Sequence, residues 1–234
     1  MKTFSLLALP ALVLAPALSA AVLYQTSTGN SSLRNADYAL SSQSGFRVFD
    51  DFTIASGGYI ESITWRGMYY DDANPRPTAA PPPVEDVQSW QISILSDDAG
   101  QPGGQLLLLN LPAADVSSTF LGTGIFTAGD SFNASFYDYT ATLPSSFLAT
   151  PGTQYWFGLV GTTPDNDIRF TWRGATGGDN SSRQQTLGAG MSVLAVNSVS
   201  ADRAFTLEGT VPEPSTYALL GLSLALGIAR KRLA

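Results

Sequence analysis

Two aspartates ahead of a glycine, Asp97-Asp98 before Gly100, and two tyrosines beside two more aspartates, Tyr69-Tyr70 with Asp71-Asp72, are the side chains of this 234-residue chain best spaced for chemistry. Carboxylates in a glycine-flanked turn offer hard oxygens to calcium, which gathers about six to eight of them. The Asp97-Asp98 turn lacks the Asp-x-Asp-x-Asp spacing of a dedicated calcium loop, and Asp and Gly are ordinary turn residues. A solvated turn therefore competes with a calcium site there, and Asp165-Asn-Asp167 is a weaker case of the same kind. Tyr69 and Tyr70 offer ring faces and Asp71 and Asp72 offer acceptors, a combination that suits a sugar ring. Glycoside hydrolysis needs two carboxyl groups about 5–10 Å apart, one of them held protonated. Glutamate is scarce in the body of the chain, at Glu61, Glu85 and Glu208. Glu61 shares a strand face with Tyr59, Ile63 and Trp65, which makes it the first candidate for a buried acid.

Composition closes most other routes. The chain has no histidine and no cysteine, and its only lysines, Lys2 and Lys231, lie in the terminal segments. No Ser-His-Asp triad, thiol nucleophile, Schiff-base lysine or His/Cys metal site can be built from the body. A non-enzymatic role is expected. Four of the 12 basic residues (Lys2, Arg230, Lys231 and Arg232) sit at the ends, and the rest are arginines facing 19 acidic residues in the chain. So acidic a body argues against nucleic acid as a partner, since the phosphate backbone needs cationic contacts. No disulfide can staple the fold, so burial and sheet hydrogen bonds must hold it. The Asn-x-Ser triplets at Asn30, Asn133 and Asn180 read as turn chemistry.

The elements that must position these residues are strands. Phe46–Val48, Asp51–Ile54, Tyr59–Trp65, Ser89–Leu95, Ser135–Leu143, Thr153–Val160, Ile168–Trp172, Met191–Val196 and Arg203–Leu207 alternate apolar and polar residues. Turn signals at 97–100, 102–104, 151–152 and 177–180 punctuate them. Five prolines between Asp71 and Val84 predict an extended loop, and Gly174–Gly190 reads as a second irregular stretch. No window of the body has a helical period. An all-β, antiparallel two-sheet sandwich follows, jelly-roll-like in topology. Trp90, in register with Ile92 and Ile94, belongs to the core, as do Trp156 and Trp172.

The two ends are apolar. Lys2, the apolar run Phe4–Leu18 and the small residues Ser19-Ala20-Ala21 have the form of a signal peptide over 1–21, with cleavage after Ala20 or Ala21. At the other end, Val211-Pro212-Glu213-Pro214 precedes the uncharged run Tyr217–Ala229 and the basic cluster Arg230-Lys231-Arg232. That run spans roughly 20 Å as a helix, short of the ~30 Å hydrocarbon core, so alone it is a poor permanent anchor. The prolines keep the preceding peptide extended, and the basic cluster favours the cytoplasmic side.

This tail resembles the PEP-CTERM sorting signal of exopolysaccharide-producing Gram-negative bacteria. The resemblance implies export with signal peptidase and a membrane-embedded exosortase as processing partners, and a hydrophobic helix that holds the chain in the membrane only transiently. Within the body, residues 22–210, the stretch from Phe46 to Gly209 resembles a domain common in PEP-CTERM and other exported bacterial proteins. The shared residues are Asp50-Asp-Phe52, Ile63-Thr-Trp65 with Tyr69-Tyr70, Ile92-Ser-Ile94 leading to Asp98-Ala-Gly-Gln-Pro-Gly103, Tyr155-Trp156, Trp172 and Ala204-Phe205-Thr-Leu-Glu-Gly209. It implies a β-sandwich and carries no settled activity. The expected protein is a surface or matrix component associated with extracellular polysaccharide or biofilm. A sugar-binding module, a calcium-dependent adhesion module and, last, a carboxylate-based glycoside hydrolase are the alternatives.

Overall fold

A computed structural model describes residues 20–27, 33–71, 87–128, 130–164 and 168–211. Strand accounts for 76 % of it and helix for 4 %, which places the body in the all-β class. The first half of the chain gives β1 (Ala21–Gln25), β2 (Leu33–Asn35), β3 (Asp37–Ala39), β4 (Ser44–Thr53), β5 (Gly58–Asp71), β6 (Ser89–Asp97) and β7 (Pro102–Pro112). The second half gives β8 (Val116–Ala128), β9 (Asp130–Ala149), β10 (Gln154–Thr163), β11 (Ile168–Ala175), β12 (Ser181–Leu187), β13 (Val193–Ser200), β14 (Asp202–Arg203) and β15 (Phe205–Thr210).

Two sheets form. One runs β1-β15-β5-β11-β14, with β9 on the other edge of β5, β8 outside β9, and β2 on β11. The second runs β13-β12-β4-β3-β10-β6-β7. Inward side chains of the two sheets meet in one aromatic core. Trp65 of β5 packs edge-on to Trp90 of β6, ring centres 5.1 Å apart, and Trp172 of β11 does the same with Phe157 of β10 at 5.1 Å. Phe205 of β15 closes on Phe52 of β4 at 6.2 Å. Edge-to-face pairs of this kind add about 0.5–1.5 kcal/mol each beyond area burial. Period-two alternation accounts for the partition, since Trp90, Ile92 and Ile94 point inward and are buried.

Several expectations need correction. The stretches 46–48 and 51–54 are one continuous strand, β4. The antiparallel rule has one exception among the described ladders: β3 runs parallel to β10, pairing Asp37–Ala39 with Gly161–Thr163. β3 wedges in where β4 and β10 diverge, and a Cβ at Gly45 would collide with the Asp37 carbonyl, so only glycine admits the wedge. The region read as irregular over 174–190 contains β12, a polar strand held between β4 and β13. Pro102-Gly103-Gly104 opens β7 rather than making a turn; the turn is Asp98–Gln101, closed by Asp98 N–H to Gln101 O at 2.9 Å and Gln101 N–H to Asp98 O at 3.1 Å.

A bulge overturns the reading of Glu61. The ladder between β5 and β9 shifts register between Ile60 and Ser62, so Ile60 and Ile63 both reach the core while Tyr59 is exposed. Glu61 is half-buried and accepts a hydrogen bond from Thr210 Oγ1 at 3.2 Å. It does not face Trp65.

Candidate functional site

The tyrosine platform does not assemble from Tyr69. Its ring is buried, edge-on to Phe170 at 5.6 Å and to Tyr139 at 6.2 Å. Adjacent residues of a strand point to opposite faces, so Tyr69 and Tyr70 cannot share one surface. The side chains of Tyr70 and Asp71, and Asp72 as a whole, lie outside the described residues, as does Asp165–Asp167.

Asp97 serves the fold. Its Oδ1 accepts the Trp156 indole N–H at 2.8 Å and its Oδ2 accepts the Gly100 N–H at 3.1 Å. Trp156 is buried, but on the outer face of β10 rather than in the aromatic core, and the Arg183 guanidinium lies 5.4 Å over its ring. Arg183 also donates to the Gly100 carbonyl at 2.9 Å and to Gln101 Oε1 at 3.0 Å. One arginine on β12 thus ties down a turn two strands beyond β4. Asp98 is exposed, and among the described residues no three acidic side chains converge on a common point. A calcium ion at Asp97 would have to displace two protein donors. Asp97→Ala should destabilise the fold by about 1–3 kcal/mol, because it strands a buried indole N–H; urea unfolding of the variant measures it, and calcium at about 1 mM should leave the wild-type midpoint in place.

A second polar site lies inside, at the end of the sandwich where β4, β12 and β14 meet. Arg203 is fully buried; its backbone N–H donates to Asp50 Oδ2 at 2.7 Å, its Nε to Ser182 Oγ at 3.3 Å and its Nη2 to the Ala201 carbonyl at 3.0 Å. Ala201 has φ 144°, a conformation alanine rarely adopts, fixed by two donors on its carbonyl, Arg203 and the Ser182 hydroxyl at 2.8 Å. Asp202 caps the preceding turn, accepting from Gly178 N–H at 2.9 Å and Ser181 N–H at 3.2 Å. Burial drives the Asp50 carboxyl well above the ordinary range, against the opposing pull of the Arg203 backbone N–H. Burial lowers Arg203 to about 10 while Asp50 holds it up. Half-buried Asp51 is pushed up to about 6, by desolvation first and the Asp179 charge second.

The third site opens on the outer face of the first sheet. β5 changes neighbour midway: it pairs with β15 from Tyr59 to Trp65 and with β11 from Gly67 to Asp71. At the fork, Ala204 bridges the strands, accepting from Arg66 N–H at 3.1 Å and donating to the Arg173 carbonyl at 2.8 Å. A half-open cavity of about 120 Å³ lies there, walled by Thr64, Arg66, Asp138 and Thr206 with Gln25 and Thr26 of the β1 edge. Arg66 and Asp138, opposed in the β5–β9 ladder, form a two-pronged ion pair with both N–O distances 2.7 Å. Nothing in the residues singled out from sequence pointed here. The one signal was the rarity of cations in so acidic a body.

These features define an all-β, two-sheet domain with a polar notch on one face, whose last strand runs directly into the Pro-Glu-Pro segment. The chain belongs to the family described as Domain of unknown function (DUF7901), whose family model matches residues 33–189. Residues 210–232 match the PEP-CTERM protein-sorting motif, so the tail is a sorting signal of that kind, and the motif implies export with exosortase processing. No curated protein matches the chain. No helix among the described residues is long and apolar enough to cross a membrane. Residues 1–19 and 212–234, which hold most of the segment read from sequence as a signal peptide, the Pro-Glu-Pro triplet and Arg230-Lys231-Arg232, lie outside the described residues.

Proposed function

We propose that this chain is a non-enzymatic exported protein, sorted through its PEP-CTERM tail and associated with extracellular polysaccharide at the cell surface or in the matrix. The observation that carries the reading is the junction at Thr210. β15 ends at that residue and the sorting motif begins there, with Val211 its first residue beyond the sheet. The body thus presents its processing segment immediately after a folded edge. A second feature agrees: β1 starts at Ala21, where a signal peptidase would cut. Strand order supports a jelly roll, since β1-β15-β5-β9 on one sheet and β4-β10-β6-β7 on the other interleave successive strands between sheets. Non-enzymatic action is supported by the chain's lack of histidine and cysteine, by the bulge that turns Glu61 from the core, and by the donors that occupy Asp97.

Intact-mass measurement on protein recovered from the native host tests the sorting step. The expected dominant species has lost both the first 20 or 21 residues and the apolar tail. A dominant species that still ends at Ala234 would overturn the reading.

A further inference from the structure

We propose that β13 is a docking edge for a second copy of this chain, the two β13 strands pairing antiparallel about a two-fold axis. Sorting of the tail is not a premise.

An open edge is the first ground. β13 ends the second sheet: β12 pairs with one side of it, and no described strand pairs with the other. Every residue from Val193 to Ser198 is exposed, where a strand covered on one face would alternate. Leu194 is 67 % exposed and Val196 51 %. Unpaired amides and carbonyls flanked by apolar side chains are a template for another strand. The other described edges carry the devices that prevent such pairing. β7 begins and ends on proline, and its ladder with β6 breaks register twice. The ladders of β1 and β8 are bulged, and β2 and β14 hold only 3 and 2 residues. β13 has no proline and no charge, and it keeps an even register on β12 from Ala195 to Ser200.

Charge names the occupant. The chain has a formal net charge of −7, so two copies repel over most of their surfaces. Residues 184–201 contain no Asp, Glu, Lys or Arg, and two copies can meet there without a like-charge contact. A basic partner would instead seek the carboxylates that this edge lacks. Paired residues share a sheet face, and residues of one face lie an even number apart along a strand. A two-fold pairing therefore sets one residue of β13 opposite itself. With 8 residues a side, against about 20–30 in a standard interface, the dimer is weak and reversible.

The chain has no cysteine, so an introduced one is unique. Single substitutions from Val193→Cys through Ser200→Cys are made in the full chain in detergent micelles, with Leu106→Cys on β7, also exposed, as the control. Antiparallel mates lie about 4.5–5.5 Å apart at Cα, within the roughly 4.4–6.8 Å that a disulfide spans. Each step off the axis offsets a residue from its own mate by roughly 7 Å. Mild oxidation should therefore give a cross-linked dimer that peaks at one position of β13 and falls away on both sides, with little at Leu106→Cys. Sedimentation should show reversible dimers of the wild type in the micromolar range. Val196→Lys, which charges the edge, should weaken them at least about tenfold while the melting temperature stays near wild type. A monomer at every concentration, a dimer that Val196→Lys leaves unchanged, or cross-linking uniform along β13 or equal at Leu106→Cys would each overturn the proposal. An edge covered by the chain's own tail or by a foreign protein would give the first of these. Tail processing does not enter the measurement, so failure here leaves the sorting reading intact.

Discussion

Replacing Arg203 by methionine should lower stability by about 2–5 kcal/mol, because it removes the donors to the buried Ser182 hydroxyl and the Ala201 carbonyl, at about 1–3 kcal/mol for each buried group stranded. At about 2–4 °C per kcal/mol for a domain of this size, the melting temperature should fall by about 10 °C. The cost is not mainly lost attraction. Asp50, only 1 % exposed, would keep its bond to the residue-203 backbone N–H and lose only a cation that acts on it at a distance, while the Ala201 carbonyl would lose a donor that holds φ at 144°. Asp50→Asn in the same background should recover part of the loss, because a neutral amide needs no counter-charge. Urea unfolding of the single and double variants measures both. An Arg203→Met protein within about 1 kcal/mol of wild type would show that the guanidinium's hydrogen bonds carry no net stability, as some buried charged groups do not.

Stability should also fall as pH rises from about 4 to about 7. Asp50 and Asp51 both have folded-state values above the ordinary 3.8, so between the unfolded and folded values the native chain binds more protons than the unfolded one. Their contribution is complete below pH 3.8 and is lost as pH rises, for Asp51 through about 6. For Asp51 alone the difference is worth at most about 3 kcal/mol, which solvent screening at a half-buried group reduces to about 1 kcal/mol. Asp50 adds to it in the same direction. Urea midpoints at pH 4.5 and 7.5 should differ accordingly, and Asp50→Asn with Asp51→Asn should flatten the profile. A wild-type midpoint that rises across this interval would contradict the assignment.

Much of the core was legible because each inward residue had an outward polar neighbour. Trp90, Ile92 and Ile94 alternate with Gln91 and Ser93, and they are buried as the pattern requires. β12 escaped because Ser181–Leu187 is polar almost throughout and draws its place from pairing with β4. Glu61 was misplaced because a bulge leaves no trace in a period-two pattern, and Tyr69-Tyr70 was misread because adjacency in a strand separates side chains instead of joining them. The fork notch was invisible for a different reason. Arg66 and Asp138 are 72 positions apart and meet only through the register of β5 with β9, which no local signal specifies. The tail needed no register: its triplet, apolar run and basic cluster are consecutive, so order alone made it readable.

The pairing of β1 with β15 sets Ala21 opposite Gly209, so the two ends of the body leave the sheet side by side and in opposite chain directions. Were a signal segment and a sorting tail both held in the membrane, tension drawn through the body would enter at the first pair of that ladder. Bonds loaded there break singly and in succession, as a zipper opens, rather than together as they would if pulled along the strands. Severing either end removes the load altogether. On the proposed export route, cleavage at either end would therefore also be a mechanical event, one that unloads the β1 edge of the sheet.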